Sequence, residues 1–222
     1  MNNFSKKNKI CAVIPFYNES KFINEIIKET LNYVDFIIAI NDGSTDDSIS
    51  KIPKEDNVFL ISNSDNHGKG FALNQGFKES ILYKSDITVT IDADFQHDPK
   101  LIPELVSAID TYDIVIGNRL KNIQLMPVQR IVSNKLTSFF LSIKTGQKLL
   151  DTQCGFRAYR TKFLMSILPS KNGFEAESQI LVNAARKNYK IGFVEIPTIY
   201  GAENSKMKSL QAISGFIKVM LS

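Results

Sequence analysis

Tryptophan is absent from the 222 residues, and only two cysteines and two histidines occur. Cys11 lies in an apolar run and Cys154 beside a glycine, so neither a disulfide framework nor a cysteine-based metal site is indicated, and a reducing compartment fits. His67 has no second histidine or cysteine at ligand spacing, which leaves it a surface or hydrogen-bonded histidine. Long apolar stretches are also missing. Residues 136–143 are bracketed by Lys135 and Lys144, and the tail is interrupted by Lys218, so no segment is expected to cross a bilayer. Residues 1–9 are polar and lysine-rich and lack the apolar core of a signal peptide, so export is not expected. Neither charge sign dominates: 27 Lys and Arg face 23 Asp and Glu. That excess is too mild for a nucleic-acid partner, yet it suits phosphates or an anionic lipid surface. The expectation is a cytoplasmic protein, at most peripheral on the inner face of the membrane.

What the chain does contain is a rhythm. Short β-branched runs at residues 10–14, 36–40, 58–61, 87–91 and 114–116 alternate with segments of helical spacing. Phe22, Ile23, Ile26, Ile27 and Leu31 form one such apolar face, and Phe71, Leu73, Phe77 and Ile81 another. This is the pattern of an α/β fold, a parallel sheet covered by helices. Beyond residue 119 the rhythm changes to a loop at 121–126, a helical stretch at 127–148 and a polar and aromatic segment at 151–160. A helix at 175–187, a strand at 191–199 and an amphipathic helix at 209–221 follow. No repeat or linker interrupts the chain, so one domain over residues 1–222 is expected, with halves at about 9–119 and 120–222.

In an open parallel sheet, ligands gather beyond the carboxyl ends of the strands, where loops converge and helix amides are free. Polar loops follow all five strands, at residues 15–19, 41–46, 66–70, 92–98 and 117–119. Asp92-Ala93-Asp94 leaves the fourth strand directly. Residues two apart in extended backbone face one side, so the two carboxylates can offer hard oxygen ligands to Mg²⁺ or Mn²⁺, with Gln96 continuing the alternation as a neutral oxygen ligand. Asp98 precedes Pro99 and reads as a helix cap. In the second loop Gly43 relieves the turn and Thr45 or Asp46 can cap a following helix, leaving Asp42 free to accept a hydrogen bond from a base or ribose. The run Asn66-His67-Gly68-Lys69-Gly70 lacks the spacing of a P-loop, and its glycines suit a tight turn and close helix packing. Arg119 at the fifth strand end, Arg130 with Asn134 one turn on, and Lys206 are candidates for phosphate.

Read together, these loops resemble the family 2 glycosyltransferases of GT-A fold, in the branch similar to dolichol-phosphate mannosyltransferase and bacterial polyprenyl-phosphate glycosyltransferases. The resemblance rests on residues 14–19, 41–46, 68–70, 92–99, 117–119 and 151–157, in that order. It implies a nucleotide-sugar-binding first half and an acceptor-side second half. It also implies that Pro15, Tyr17, Glu19, Ile40 and Asp42 line the nucleotide pocket, with Ala93 against the donor, while Asp92, Asp94 and Gln96 hold the cation. Arg119 and Lys206 then face the diphosphate or the acceptor phosphate. Arg130 and Asn134 contribute from a helix near the membrane, and the segment with Asp151 and Arg157 closes the acceptor side. The implied activity is an inverting transfer from a GDP- or UDP-sugar to a polyprenyl phosphate, with Asp92, Asp94, Arg119 and Asp151 as catalytic candidates. A hydroxyl acceptor is the alternative, and it would need a base, for which Asp151 is the candidate. A non-catalytic domain that binds nucleotide sugar or membrane is the rival from another class. Asn41 stands where many relatives carry an acid, and residues 200–206 form a shorter loop than the arginine-containing one of the mannosyltransferases.

Overall fold

The computed structural model describes residues 8–121, 126–197 and 199. Among them, seven strands share one sheet: β1 (Ile10–Phe16), β2 (Phe36–Asn41), β3 (Val58–Ser62), β4 (Ile87–Thr90), β5 (Ile114–Asn118), β6 (Arg157–Arg160) and β7 (Ile191–Glu195). Their order across the sheet is β3-β2-β1-β4-β6-β5-β7. Every pairing is parallel except those of β6, which runs antiparallel to both β4 and β5. The helices are α1 (Ile23–Leu31), α2 (Lys69–Leu82), α3 (Ile102–Ala108), α4 (Val128–Thr145), α5 (Leu164–Ile167) and α6 (Glu175–Arg186).

The apolar runs become central strands because both faces of the sheet are covered. Along β1, Ala12 and Ile14 join a core with Ile23, Ile26 and Ile27 of α1, whereas Cys11 and Val13 join Phe36, Ile38 and Ile40 in a second one. The period-two alternation of a strand sends neighbours to opposite layers. Each isoleucine buried this way stabilises the fold by roughly 1.5–3 kcal/mol of transfer free energy. The polar residues inside are matched: Thr88 of β4 meets Ser80 at 3.0 Å and Thr161 at 2.8 Å. That pairing removes the penalty of a buried hydroxyl.

Several expected boundaries move. The fourth strand ends at Thr90, not at residue 91, and the last strand stops at Glu195 rather than at 199. The helix expected at 127–148 is α4, three residues shorter at its end. The second loop leads only into a one-turn 3-10 helix, Ile49–Lys51. The polar and aromatic segment at 151–160 contains β6, a strand that sequence pattern did not reveal because Arg157 and Arg160 flank it. Lys206, the loop at 200–206 and the helix expected at 209–221 lie outside the described residues.

Candidate active site

The exit loops of the parallel strands converge on one edge of the sheet and are tied to one another. Asn18, with a left-handed backbone at φ 54°, accepts the Thr45 amide at 2.8 Å, and its own amide donates to Ser44 Oγ at 2.9 Å. Glu19 N donates to Ser48 Oγ at 2.8 Å. The first exit is thereby fastened to the second. Asp42 fastens the second to the third: it is buried, and its carboxylate accepts the amides of His67 at 3.1 Å and Gly68 at 2.8 Å. The carboxylate expected to stand free already holds this loop through both oxygens, whose lone pairs can still accept a further hydrogen bond. Asp46 takes the Ser48 and Ser20 amides as a loop cap. Pro15 is paired in register with Ile40, beyond the last residue of β4 in the ladder, where a missing amide costs no sheet hydrogen bond. Both residues are buried; Tyr17 and Glu19 are half-buried at the loop above them.

Helix α2 begins beneath this loop with its backbone pressed on the 171–173 segment. Gly70 N donates to Asn172 O at 2.6 Å, and a Cβ at Gly70 would lie 2.4 Å from Lys171 O. The glycines at 68 and 70 therefore serve close backbone approach, as their spacing suggested, and the helix N-terminus is already capped by a carbonyl.

Asp92 and Asp94 stand at the fourth exit, but not as extended-strand neighbours. Asp94 Oδ1 accepts the amide of Gln96 at 3.1 Å across Phe95, whose backbone is left-handed at φ 60°. A bulky side chain in that region is strained by roughly 1–3 kcal/mol. The strict alternation expected from Asp92 to Gln96 is thus replaced by a turn that folds Gln96 back toward Asp94. Asp98 accepts Lys100 N at 2.9 Å, the cap that was expected.

The two carboxylates differ in their surroundings. Asp92 Oδ1 lies 2.7 Å from Lys69 Nζ, and Glu177 Oε1 lies 3.3 Å from the same ammonium. Burial penalises the charge of Asp92, but Lys69, then His97 and Arg119, outweigh it and hold its carboxyl below the usual range. Burial likewise opposes the Lys69 charge, and the carboxylates of Asp92 and Glu177 override it and raise its pKa. Asp94 forms no ion pair among the described residues: burial, then the adjacent charge of Asp92, pushes its carboxyl up to about 6 against the Gln96 amide and the more distant Lys69 charge, with Glu19 adding upward. Among the described residues, no group of three or more His, Cys, Asp or Glu side chains is arranged to hold a metal unaided.

Arg119 at the fifth exit is gripped by Asp151. Its Nε and Nη2 donate to the two carboxylate oxygens at 2.8 and 3.0 Å, and its backbone amide donates to Oδ2 at 3.0 Å. Asn134 Nδ2 of α4 adds a further donor to Oδ1 at 2.5 Å. Asp151 is fully buried; burial opposes its charge, and the hydrogen bonds and charge of Arg119 more than compensate, holding the carboxyl low. A buried, four-times-donated carboxylate is an anchor for Arg119, so the expectation of a base at Asp151 is corrected. Asn134 is equally buried and faces Asp151 rather than solvent. Arg157 is buried too, spending its guanidinium on the carbonyls of Cys154, Glu177 and Thr152 at 2.7, 3.0 and 2.9 Å. Each of the two residues braces the loop that carries Asp151 and Gly155. Arg130 is half-buried in the first turn of α4.

Two site residues escaped the sequence reading. Glu177 lies on the buried face of α6 with Ile180, Leu181 and Ala184, and an acid on an apolar helical stripe was the available signal. His97 is buried, stacked on Phe156 with centroids 5.5 Å apart and with Nε2 3.9 Å from Cys154 Sγ. Burial, then the Arg119 charge, pushes its pKa down to about 4, so the ring is neutral near pH 7.

A family model described as Glycosyl transferase family 2 matches residues 11–168. Among curated proteins, the UDP-N-acetylglucosamine–dolichyl-phosphate N-acetylglucosaminyltransferase of Methanococcus voltae is 33% identical, over 93% of this chain and 92% of its own length. The undecaprenyl-phosphate 4-deoxy-4-formamido-L-arabinose transferase of Proteus mirabilis is 30% identical, over 96% of this chain and 67% of its own length. Among solved structures, the Mycobacterium tuberculosis glucosyl-3-phosphoglycerate synthase in complex with Mn²⁺, UDP and phosphoglyceric acid superposes with a TM-score of 0.75. It is 21% identical and covers 96% of this chain and 79% of that one, a likeness of fold.

Proposed function

Because the chain belongs to glycosyl transferase family 2, and has the mostly parallel GT-A sheet that the resemblance implied, we propose that it moves a sugar from a UDP-linked donor onto a polyprenyl phosphate. The observation that carries the acceptor class is the orientation of α4. Its inward face is polar, with Asn134, Thr137 and Ser138 buried, while Val128, Val132, Leu136, Phe139, Phe140 and Ile143 are exposed. A helix on a water-exposed surface reverses that pattern. Val128 is 74% exposed and Ile143 65% exposed, so these side chains meet the medium almost whole. An anionic lipid surface is the occupant that suits them: Lys135 and Lys148 stand exposed beside the apolar stripe, as on an interfacial helix. Among the described residues no helix is long and apolar enough to cross a membrane. The same α4 reaches Arg119 through Asn134 and Asp151, which supports a reading with the lipid-facing element beside the phosphate-binding one.

The chemistry follows from the charges. A phosphate acceptor arrives ionised and needs no strong base, in keeping with an Asp151 that is committed to Arg119 and Asn134. Arg119, fixed in a two-pronged pair, offers a preorganised positive charge for phosphate oxygens, the kind of electrostatic stabilisation that contributes most to such transfers. A divalent cation, Mg²⁺ or Mn²⁺, fits the fourth exit on one structural ground: half-buried Asp94 stands beside the charge of Asp92, and the Lys69 charge only partly offsets the burial and repulsion that push its carboxyl up. Asp94, Asp92 and Gln96 would hold it, leaving its other positions to phosphate oxygens and water. What such a cation supplies is neutralisation of the departing diphosphate. Tyr17 and Glu19 then border the nucleotide, over the backbone of Pro15 and Ile40, and Ala93 lies against the donor. Arg130 stands on the lipid side of the acceptor phosphate, and Lys206 is assigned to phosphate from its place in the resemblance.

The deciding assay supplies a labelled UDP-sugar with Mn²⁺ and offers polyprenyl phosphate in vesicles or a free sugar hydroxyl. Transfer to the lipid phosphate is expected; equal transfer to the hydroxyl without lipid overturns the acceptor.

A further inference from the structure

Helix α4 packs on α6 and sends Leu141 into the core, and hydrogen bonds tie its polar inner face to the 149–153 segment. Asn134 Nδ2 donates to Asp151 Oδ1 at 2.5 Å, and Asn134 Oδ1 accepts from Ser138 Oγ at 3.2 Å. Ser138 Oγ also accepts the Thr152 amide at 3.1 Å, Gln153 Nε2 donates to Thr137 Oγ1 at 3.2 Å, and Ser142 Oγ accepts the Leu149 amide at 2.9 Å. One apolar residue of the helix, Leu141, is fully buried. The inner face is thus a row of directional contacts to the 149–153 segment, and that segment holds Arg119 through Asp151. Few buried apolar contacts make an element readily displaced, whereas hydrogen-bond geometry transmits small changes of position because its strength falls steeply with misalignment.

We propose that Asn134 is a positioning residue that couples the two faces of α4: seating the apolar outer face on an anionic lipid surface fixes the Asn134–Asp151 contact, and this locks Arg119 in the posture that binds the donor diphosphate. The inference rests on the lipid-facing reading of α4 given above. It assigns a regulation to that site: donor affinity rises when the protein is on the surface that carries the acceptor. The coupling is thermodynamic and therefore reciprocal, so nucleoside diphosphate also strengthens attachment to the lipid.

The test measures two quantities separately for the full chain, wild type and Asn134→Ala: flotation with phosphatidylglycerol-containing vesicles, and calorimetric affinity for UDP and for GDP with Mg²⁺, each with and without those vesicles. The wild type is expected to float and to bind the tighter of the two nucleotides about fivefold or more tightly on vesicles. Asn134→Ala is expected to float equally, to bind more weakly, and to show no response to vesicles. If the wild type floats with unchanged nucleotide affinity, or Asn134→Ala responds as the wild type does, the coupling is overturned while the lipid reading stands. If the wild type stays at the bottom of the gradient, the lipid reading and the coupling both fall. Should Asn134→Ala not fold, Ser138→Ala removes only the hydroxyl that holds Asn134 Oδ1, and a vesicle response equal to the wild type's overturns the coupling in the same way.

Discussion

Lys69 Nζ sits 2.7 Å from Asp92 Oδ1 directly beneath Gly155, whose Cα replaces a side chain that would occupy the same space. The first acid of the pair therefore comes already matched with a cation, and the second does not. That asymmetry divides the labour between them, and it makes Gly155, outside all five exit loops, part of the site's construction.

Gly155→Ala places a methyl group 2.4 Å from Asp92 Oδ2 and 2.8 Å from Lys69 Nζ. The carboxylate has to move, and a displacement near 1 Å in a catalytic group can lower turnover about 100-fold. Steady-state kinetics with a UDP-sugar, beside circular dichroism showing a folded chain, measures this; wild-type kinetics would contradict the proposed arrangement.

Asp94→Asn keeps the turn but removes the unmatched charge. Loss of transfer by roughly 100-fold or more is expected from removing a group that stabilises developing charge, together with loss of Mn²⁺ binding followed by electron paramagnetic resonance of the free ion. Undiminished Mn²⁺ binding would place the cation elsewhere.

Asp151→Asn leaves the guanidinium of Arg119, 12% exposed, without its carboxylate. Breaking one side of a buried pair costs about 3–5 kcal/mol, readable as a lower midpoint in urea unfolding. Because the folded pKa of Asp151 is depressed, its contribution is complete above the unfolded value near 3.9 and is lost as pH falls through the folded one. The acid limb of the stability profile should be flatter in the variant.

His97 gives a different pH signature. Its folded pKa is depressed from 6.5 to about 4, so below pH 6.5 the unfolded chain takes up a proton that the folded one refuses. Stability is full above about 6.5 and declines as pH falls toward 4, by roughly 3 kcal/mol in total. Urea titrations at pH 7, 5.5 and 4 for the wild type and His97→Gln should diverge across that window, and parallel curves would refute a buried neutral ring.

Leu136→Ser with Phe139→Ser should leave thermal stability within about 0.5 kcal/mol, since both side chains are exposed. Flotation with anionic vesicles should be lost. Retained flotation would move the lipid contact to another surface.

Much of this site was legible before the structure. An apolar run followed at once by Asp92-Ala93-Asp94 specifies a strand exit carrying carboxylates, and the alternation of strands and helices brings five such exits to one edge. The partners of those carboxylates were not legible. Lys69 of α2 meets Asp92 and is itself shared with Glu177 of α6, and no spacing along the chain encodes that. Asn134 and Arg157 carry groups that suit phosphate, yet both are spent on buried carbonyl or carboxylate oxygens; residue type alone does not separate a ligand from a strut. The strand β6 was hidden because its two arginines read as solvent-facing, while Arg157 is in fact enclosed.

The reversed direction of β6 has a consequence for how the chain assembles. In the finished sheet β5 touches only β6 and β7, both encoded after it, so a nascent chain that has just released residue 118 from the ribosome holds a strand with no sheet neighbour yet made. The ladder through β4 can form early, but its far side stays open until residues 157–160 arrive and slot in head to tail. Cutting the gene between the two halves would therefore yield a first fragment with an unpaired edge at β4 and an orphan strand beyond it, a species prone to aggregation rather than an independent nucleotide-binding module.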